Sequence, residues 1–380
     1  MKVCILNVLH EPFDKRVFQK VGRSLAGAGH EVVSICPCTG AAPEPAAGVR
    51  FIAIPSALSK KQRLRSVARL IRLGRKEAAD VYLVPEPESW VAALIIKALR
   101  GGKVVFDMHE HVPTEFAKFF PGAMQSFMTW LTRRFMRLFA RCTDCIILTR
   151  QSFEGEWAGL RVPRVVVINT NHLQPPCGAV PEELRNEFAD KPVIIHQGQF
   201  GEARGSYQLL EALKILVKEI PDLRCIVLGD YVSGSEAAYR DAVRDAGLDH
   251  CIRFLGAVPY DAVPAYIAVA KVGLILFQPG LLNHTLAMPH KLFDYMREGR
   301  PVVAPDFAVE VAHIMNESDC GILVDVSNPN AIAQAVLKLL RDPAEAARLG
   351  ENGRRMIEQK YNWQEEEKRL LAAFASLEPR

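Results

Sequence analysis

Short runs of apolar, mostly β-branched residues recur along the whole chain and alternate with segments of helical periodicity. Runs such as KVCILNV at 2–8 are apolar at consecutive positions, which is typical of strands covered on both faces. Regular strand–helix alternation predicts two doubly wound α/β domains, each a Rossmann-like parallel sheet. The predicted strands span 2–8, 31–37, 49–55, 81–86, 103–108, 144–149, 165–169, 193–197, 223–229, 251–256, 272–277, 301–305 and 321–325.

A polar stretch with three prolines separates the two series of strands. We predict a first domain over 1–170, a linker over 171–191 and a second domain over 192–360. The remaining segment, 361–380, carries an amphipathic helical pattern with no strand after it. Helices are also predicted at 15–28 and 206–219 from the spacing of their apolar residues.

Composition narrows the class of protein. With 49% hydrophobic and 24% charged residues, the chain fits neither a disordered protein, a collagen nor a small disulfide scaffold. No run approaches the ~18–20 apolar residues of a spanning helix, and the N-terminus looks like a first strand rather than a signal peptide. The nine cysteines lie mostly in apolar runs, which indicates reduced core thiols and a cytoplasmic protein. Cys142 and Cys145 have no second pair, so no metal site is expected.

Open α/β sheets bind ligands beyond the carboxyl ends of their strands. The exit of strand 103–108 places Asp107, His109, Glu110 and His111 together. This group is either a solvated loop with a helix cap or a polar cluster that faces an interdomain cleft. In the second case a histidine there binds a sugar or phosphate oxygen, or transfers a proton.

A glycine-rich loop follows strand 193–197 and leads into a helix that begins near Gly205. Gly198, Gly201 and Gly205 allow backbone N–H groups to approach a ligand, and the helix N-terminus favours an anion. Arg204 adds a full positive charge. The spacing is neither a phosphate-loop signature of ATPases nor the dinucleotide fingerprint, so anion binding without those activities is the prediction.

The third strand exit leads through 278–288 into PHKLFDYM. If Pro289 occupies the first turn of a helix, Lys291 and Asp294 lie one turn apart on it. The lysine and the helix N-terminus would suit a diphosphate, and the carboxylate would suit ribose hydroxyls. The alternative is an ordinary surface pair of Lys291 and Asp294.

Residues 289–304, PHKLFDYMREGRPVVA, resemble the "P-x-K-L-[FY]-[ED]-Y-M-x-x-G-x-P-V-V-A" segment of retaining family-four glycosyltransferases of GT-B fold. GQFGEARG is similar to that family's phosphate loop, VVFDMHE to its "D-x-H-E" strand exit, and FDKRVFQKVGRSLAGAGHEV to its first βα unit. YNWQ resembles the segment that begins the C-terminal helix, which in that family crosses back to the first domain. The resemblance spans nearly the whole chain in the family's order.

This resemblance implies a nucleotide-sugar donor held mainly by the second domain. It places Arg204 on the leaving diphosphate, Asp294 on the ribose and His109 on the transferred sugar. Because Arg204, Lys291 and two helix N-termini can supply the positive charge, no metal and no cofactor are expected. Asp107 and Glu110 complete the catalytic set, and Gly198, Gln199, Gly201, Gly205, Leu286, Ala287, Met288 and Pro289 complete the donor-binding set. The chain departs from the family at Gln199, which replaces an arginine, and at Leu286, which replaces the first glutamate of its E-x7-E motif.

Charge is distributed unevenly: residues 1–169 contain 25 Lys and Arg against 14 Asp and Glu, and the remainder 22 against 29. Segment 59–76 has eight basic residues and no acid, and 124–141 has four arginines together with Phe127, Trp130 and Phe135. Both are either domain helices with solvated basic faces or a peripheral contact with anionic lipid. Nucleic acid is not expected, because no recognition motif accompanies the charge.

The sequence thus predicts a hexosyltransferase that moves a sugar from a nucleotide-sugar donor to a glycan or lipid-linked acceptor. UDP-sugars are the favoured donors and GDP-mannose is next. A nucleotide-sugar epimerase and a non-catalytic nucleotide-sugar-binding partner are the alternatives. The protein is expected in the cytoplasm or at the inner face of the membrane.

Overall fold

The computed structural model describes residues 1–56, 59–173 and 182–378, so 174–181 of the predicted linker lie outside the described residues. The chain divides into two compact units. The first contains Met1–Asn169 and the segment from Trp363 onward, and the second contains Thr170–Asn362.

The first unit is a seven-stranded, wholly parallel sheet in the order β3-β2-β1-β4-β5-β6-β7. Its strands are β1 (Lys2–Leu6), β2 (Glu31–Cys38), β3 (Val49–Pro55), β4 (Val81–Val84), β5 (Lys103–Met108), β6 (Cys145–Leu148) and β7 (Arg164–Val166). Its helices are α1 (Arg23–Gly27), α2 (Lys60–Glu77), α3 (Pro87–Arg100), α4 (Val112–Ala117) and α5 (Gly122–Ala140).

The second unit repeats this winding with a six-stranded parallel sheet and a short parallel pair beside it. The order of the large sheet is β12-β10-β8-β13-β14-β15. The strands are β8 (Val193–Gln197), β9 (Phe200–Gly201), β10 (Arg224–Leu228), β11 (Tyr231–Ser233), β12 (Ile252–Phe254), β13 (Val272–Leu274), β14 (Val302–Pro305) and β15 (Gly321–Val324). The helices are α6 (Glu182–Glu187), α7 (Ser206–Glu219), α8 (Glu236–Asp245), α9 (Val263–Val269), α10 (Leu282–Thr285), α11 (His290–Arg297), α12 (Val309–Ser318), α13 (Pro329–Arg341) and α14 (Pro343–Gln359).

The last helix, α15 (Trp363–Ala375), packs in the first unit. Trp363, Leu370 and Phe374 are buried in that unit's core, and the Trp363 indole donates a hydrogen bond of 3.0 Å to Ser24 Oγ. The Glu366 carboxylate accepts the backbone N–H of Ile168 at 2.8 Å. Burial of three large apolar side chains supplies roughly 1.5–3 kcal/mol each and holds the helix on this sheet.

All thirteen predicted strands are present, and the predicted fold class of two doubly wound α/β sheets is confirmed. The helix predicted at 15–28 is different: Val17–Gly22 forms wide π-type turns before α1 begins. The backbone N–H of Val21 bonds the Arg16 carbonyl, five residues back, and the Asp14 side chain accepts the N–H groups of Arg16 and Val17. Such turns occur frequently at functional sites.

The cysteines of the described residues are all free. Most are buried, as expected, but Cys142 is exposed because it lies in the turn just after α5. Within the described residues, no helix is both long enough and apolar enough to span a membrane.

Candidate functional site

Strand order reverses in the second unit where β8 and β13 lie side by side, with Ile194 opposite Val272. Their carboxyl ends therefore meet at one edge of the sheet, the usual place for a ligand in an open α/β sheet. The glycine loop of 198–205 leaves β8 at this edge. Phe277 follows β13 at the same edge.

Lys291, on α11, is buried at this edge. Its Nζ lies 3.2 Å from His196 Nε2 and 5.8 Å from the centre of the Phe277 ring. Gly198, with a φ of +89°, brings the loop so close that a Cβ there would lie 3.5 Å from Lys291 Cε. The lysine ammonium is thus covered by loop backbone rather than by a carboxylate.

Arg204 approaches the same ring from a 3₁₀ turn over Glu202–Arg204. Its guanidinium lies 4.7 Å from the Phe277 ring centre and 3.5 Å from Gln199 Oε1. Phe277 is therefore a platform for two cations, which its π face attracts. In the described part of the chain, no carboxylate lies within 4.0 Å of either Arg204 or Lys291.

Burial and mutual repulsion perturb these groups. Burial, with the nearby Arg204 charge, lowers the pKa of Lys291 to about 7. Burial also lowers the pKa of the Arg204 guanidinium, and burial with the Lys291 charge holds the pKa of His196 well below its usual value. A desolvated guanidinium and a desolvated amine with no carboxylate beside them in the described chain form a site that an incoming anion would stabilise.

Helix α7 begins beside these cations. Gly205 is its N-cap residue, no side chain caps the helix, and the first backbone bond runs from Leu209 N–H to the Gly205 carbonyl. A Cβ on Gly205 would lie 2.4 Å from the Leu276 carbonyl oxygen, so only glycine fits between this turn and β13's exit. The N–H groups of the first turn add partial positive charge near Arg204.

The structure does not bring Asp294 to Lys291, although both lie on α11. The Asp294 carboxylate is fully buried, and its Oδ1 accepts hydrogen bonds from Asn171 at 2.8 Å, Tyr260 at 3.1 Å and Arg297 at 3.2 Å. The surface-pair alternative is therefore wrong for this residue. Whether this carboxylate also meets a ribose stays a prediction.

The segment Leu286–Met288 lies half-buried between α10 and α11. The N–H of Leu286 donates to the Leu282 carbonyl and that of Ala287 to the His284 carbonyl, so both N–H groups are engaged within the chain. Pro289 is the N-cap of α11 rather than part of its first turn.

In the first unit, Asp107 lies at the carboxyl end of β5 and is almost completely buried. Arg16 binds it in a bidentate manner, with Nε at 3.0 Å from Oδ2 and Nη2 at 2.7 Å from Oδ1, and His109 Nε2 lies 2.9 Å from Oδ2. These partners hold the pKa of Asp107 well below its usual range. Asp107 is thus held in its charged form by these partners and orients His109.

His10 and Glu86 complete this cluster from the exits of β1 and β4. The His10 and His109 rings pack edge to face with centres 5.1 Å apart. Glu86 accepts the backbone N–H groups of Val8, Leu9 and His10. Glu110, in contrast, is exposed, and its place in the catalytic set stays a prediction.

His111 is buried and lies 3.0 Å from the Glu156 carboxylate. Sequence reasoning missed Arg16, Glu86 and Phe277. Glu86 and Phe277 are the last residues of predicted strands, which was their only signal, whereas Arg16 lies in the predicted helix 15–28 and had none. Over the described ranges, no three His, Cys, Asp or Glu side chains are grouped so as to hold a metal ion.

Two family models match the chain. The model for "Glycosyl transferase 4-like domain" matches residues 15–171, and that for "Glycosyl transferases group 1" matches residues 182–356. Together they cover both units, so the chain belongs to the family-4-like glycosyltransferases of GT-B fold.

Relatives of known role are distant. The chain is 24% identical over 200 residues to spore coat protein SA of Bacillus subtilis, covering 51% of this chain and 52% of that protein. It is 27% identical over 191 residues to a GDP-mannose-dependent phosphatidylinositol monomannoside mannosyltransferase of Mycolicibacterium smegmatis, covering 49% of this chain and 48% of that protein. The chain thus matches about half the length of these relatives.

Solved structures share the fold over the full length. Sucrose-phosphate synthase from Thermosynechococcus elongatus superposes with a TM-score of 0.75 at 18% identity, covering 99% of this chain and 98% of that one. Anabaena HepE in complex with UDP superposes with a TM-score of 0.76 at 15% identity, covering 99% and 100%.

Proposed function

We propose that the protein is a retaining hexosyltransferase that moves a sugar from a nucleotide-sugar donor to a glycan or lipid-linked acceptor in polysaccharide or glycolipid biosynthesis. One observation carries the proposal: Lys291 and Arg204 share the Phe277 platform with no carboxylate partner in the described chain. A diphosphate supplies the negative charge that this pair lacks. Its two phosphate groups offer charged oxygens to both side chains and to the nearby helix N-terminus.

The chemical step needs help chiefly with departure of the nucleoside diphosphate. Its oxygens gain negative charge as the bond to the sugar C1 breaks. Lys291, Arg204 and the N–H groups at the start of α7 would be aimed at that charge before the reaction, and each good donor of this kind contributes several kcal/mol. These groups supply the positive charge that a metal supplies in other transferases, so we propose metal-independent transfer without a cofactor.

Retention of the anomeric configuration fits attack by the acceptor on the face that the diphosphate leaves. Such attack needs no protein nucleophile, and the cationic pair has no carboxylate beside it in the described chain that could act as one. In the first unit we assign His109 to the transferred sugar. Asp107 and Arg16 hold its ring in place.

UDP-sugars are the favoured donors and GDP-mannose is next. HepE, which has the same fold, is described in complexes with UDP and with UDP-glucose. Two of the distant relatives are named as GDP-mannose-dependent enzymes, which supports the second choice. Gln199 replaces an arginine of the family and Leu286 replaces a glutamate. Two contacts to the donor would therefore come from other residues of this chain.

The test is incubation of the protein with UDP-glucose and with GDP-mannose, with and without lipid-linked glycan acceptors. Acceptor-dependent release of the nucleoside diphosphate, with a product of unchanged anomeric configuration by NMR, is the expected result. Inversion of a sugar carbon without nucleotide release would identify an epimerase. Binding without turnover would identify a non-catalytic partner protein, and inverted products would contradict the retaining mechanism.

We further propose that the first unit contacts an anionic membrane surface, with α5 and α2 in different roles. Helix α5 exposes large apolar side chains, while several of its arginines are already engaged: Arg133 pairs with Glu156, and Arg137 donates to the Glu156 and Ala158 carbonyls. The exposed apolar set consists of Met124, Phe127, Trp130, Phe135 and Leu138.

Helix α2 exposes cations instead, with Leu64 as its one strongly exposed large apolar residue among the described side chains. Its outward-facing set consists of Arg65, Arg69, Arg72, Arg75 and Lys76. Between the two helices, α3 exposes Ile95 and Leu99. Aromatic residues at the headgroup level and nearby cations are the two components of an interfacial helix contact, each cation contributing ~1 kcal/mol.

A further inference from the structure

His196 is the polar group closest to Lys291, and the bonding around it depends on where protons lie. The imidazole is fully buried, and its Nε2 lies 3.1 Å from the Gln199 carbonyl oxygen and 3.2 Å from Lys291 Nζ. Its Nδ1 has no hydrogen-bond partner in the described chain. The two tautomers of the neutral ring therefore differ only in what they do at Nε2.

When Nε2 carries the proton, it donates to the Gln199 carbonyl and offers no lone pair to Lys291. A lysine ammonium beside it would then have no acceptor, so this tautomer matches a neutral lysine. When Nδ1 carries the proton, the Nε2 lone pair accepts from the lysine ammonium. The Gln199 carbonyl then loses its donor.

The surroundings select between these states. Arg204 is the charged group that faces both side chains, and it disfavours a second cation. On α11, the Tyr295 hydroxyl donates to the Ile195 carbonyl and accepts the Gln197 N–H, so it carries no charge toward the pair. Without a ligand, the neutral lysine is favoured above about pH 7. A bound diphosphate reverses that preference, because it places negative charge beside Nζ.

We propose that binding of the donor takes up one proton onto Lys291, and that His196 is the positioning residue that accepts the new ammonium by moving its own proton from Nε2 to Nδ1. The proton comes from solvent and ends on the lysine nitrogen, and the imidazole stays neutral throughout. The move releases the Gln199 carbonyl from His196, while the Gly198 N–H stays bonded to the Leu228 carbonyl and the Phe200 N–H to the Asp230 carbonyl. This inference rests on the proposed donor site but not on turnover.

Calorimetric titration of UDP-glucose into the full chain, in two buffers that differ in ionisation enthalpy, counts the protons. The diphosphate of a nucleotide sugar has no group that titrates near neutrality, so any uptake belongs to the protein. We expect uptake of about one proton per site at about pH 8.5 and close to none at about pH 6. Binding at about pH 8.5 without proton uptake would overturn the proposal.

The part played by His196 is tested by the pH dependence of affinity. In His196→Leu the Lys291 ammonium has no acceptor. Between about pH 7.5 and about pH 9, the affinity of this variant for UDP-glucose should therefore fall about tenfold more than the affinity of wild type falls. His196→Gln has an amide oxygen that can accept from the ammonium, so this variant should recover most of the affinity lost at high pH. His284→Leu removes another buried imidazole that stacks on Phe277, and it should shift affinity equally at all pH values. An equal shift in His196→Leu would contradict the positioning role.

A measurement on the empty protein separates this inference from the proposed function. NMR of lysine side chains, with Lys291 assigned from the Lys291→Arg spectrum, should show one lysine that titrates near neutrality. An ordinary titration of Lys291 overturns the inference even if the protein transfers sugar. Proton uptake without turnover leaves the inference standing and removes the transferase. Absence of binding by both UDP-glucose and GDP-mannose overturns both.

Discussion

The Arg16 guanidinium and the Asp107 carboxylate form a bidentate ion pair across 91 residues of sequence, with both side chains almost fully buried. The pair joins the π-type turns after β1 to the end of β5. Because the carboxylate also meets His109 at 2.9 Å, the ion pair fixes the orientation of that imidazole. Loss of either partner leaves the other as an unpaired buried charge.

Asp107→Asn should therefore lower the free energy of unfolding by about 3–5 kcal/mol, the usual cost of breaking a buried pair. It should also lower turnover, because an amide replaces the charged carboxylate that orients His109. Denaturant unfolding and nucleotide-release assays measure the two effects. Glu88→Gln breaks the half-exposed pair with Arg63 and should cost less than about 1 kcal/mol. Equal costs for the two variants would contradict the role of the buried pair.

Arg204→Ala should lower turnover at least about 100-fold, because it removes a preorganised cation from the leaving diphosphate. The turnover of Arg204→Lys should lie between that of wild type and that of Arg204→Ala, since lysine keeps the charge but not the planar contact with Phe277. Arg240→Ala is the matched control: that arginine also stacks on an aromatic ring, Phe254, at 4.4 Å, far from the glycine loop in sequence. Single-turnover assays with a radiolabelled donor distinguish them, and unchanged rates in Arg204→Ala would remove the residue from the site.

Lys291→Met should stabilise the empty protein while abolishing donor binding. The pKa of Lys291 is about 7 in the fold against about 10.4 in an unfolded chain, so between these values the unfolded chain binds more protons. The destabilisation by Lys291 is thus complete below about pH 7 and fades as pH rises toward about 10.4. The gain in melting temperature should be largest at about pH 6.5 and small at about pH 10. The gain at about pH 6.5 corresponds to a few kcal/mol in the free energy of unfolding.

Lys214→Met is the control for that experiment, because Lys214 is an exposed lysine paired with Glu211. Its melting temperature should track that of wild type across the same pH range. A Lys291→Met protein whose stability gain does not decline with rising pH would show that the lysine is protonated in the empty site.

Phe127→Glu combined with Trp130→Glu should abolish binding to phosphatidylglycerol vesicles, because it places two charges among the apolar residues of α5. Reversing the charges of Arg69 and Arg72 on α2, by substitution with glutamate, should instead weaken binding to these vesicles in a salt-dependent way. Val232→Glu, an exposed apolar residue of the second unit, is the matched control and should bind as wild type does. Vesicle co-sedimentation at two salt concentrations measures all three. Retained binding in the α5 double variant would eliminate the proposed contact.

Several residues of the site can be predicted from the sequence, because the recognisable motifs directly follow the ends of predicted strands. Arg204 and Lys291 were predicted to bind one diphosphate, and the fold brings both to Phe277. Phe277 itself went unrecognised, since an aromatic residue at the end of an apolar strand has no distinguishing pattern. Asp294 shows the opposite case: the motif is recognisable, but two of its three hydrogen-bond donors, Asn171 and Tyr260, come from distant positions in the sequence.

What the sequence alone determined is the architecture, because hydrophobic periodicity is a local property and thirteen buried runs already specify two doubly wound sheets. Strands β9 and β11 are not predicted from the sequence, because two or three residues are too few to show a hydrophobic pattern. Only the tertiary structure decided which charges meet. Burial, the pairing of Arg16 with Asp107 and the isolation of Lys291 from carboxylates depend on contacts between segments roughly 90 or more residues apart, and these contacts set the pKa values on which the proposed chemistry rests.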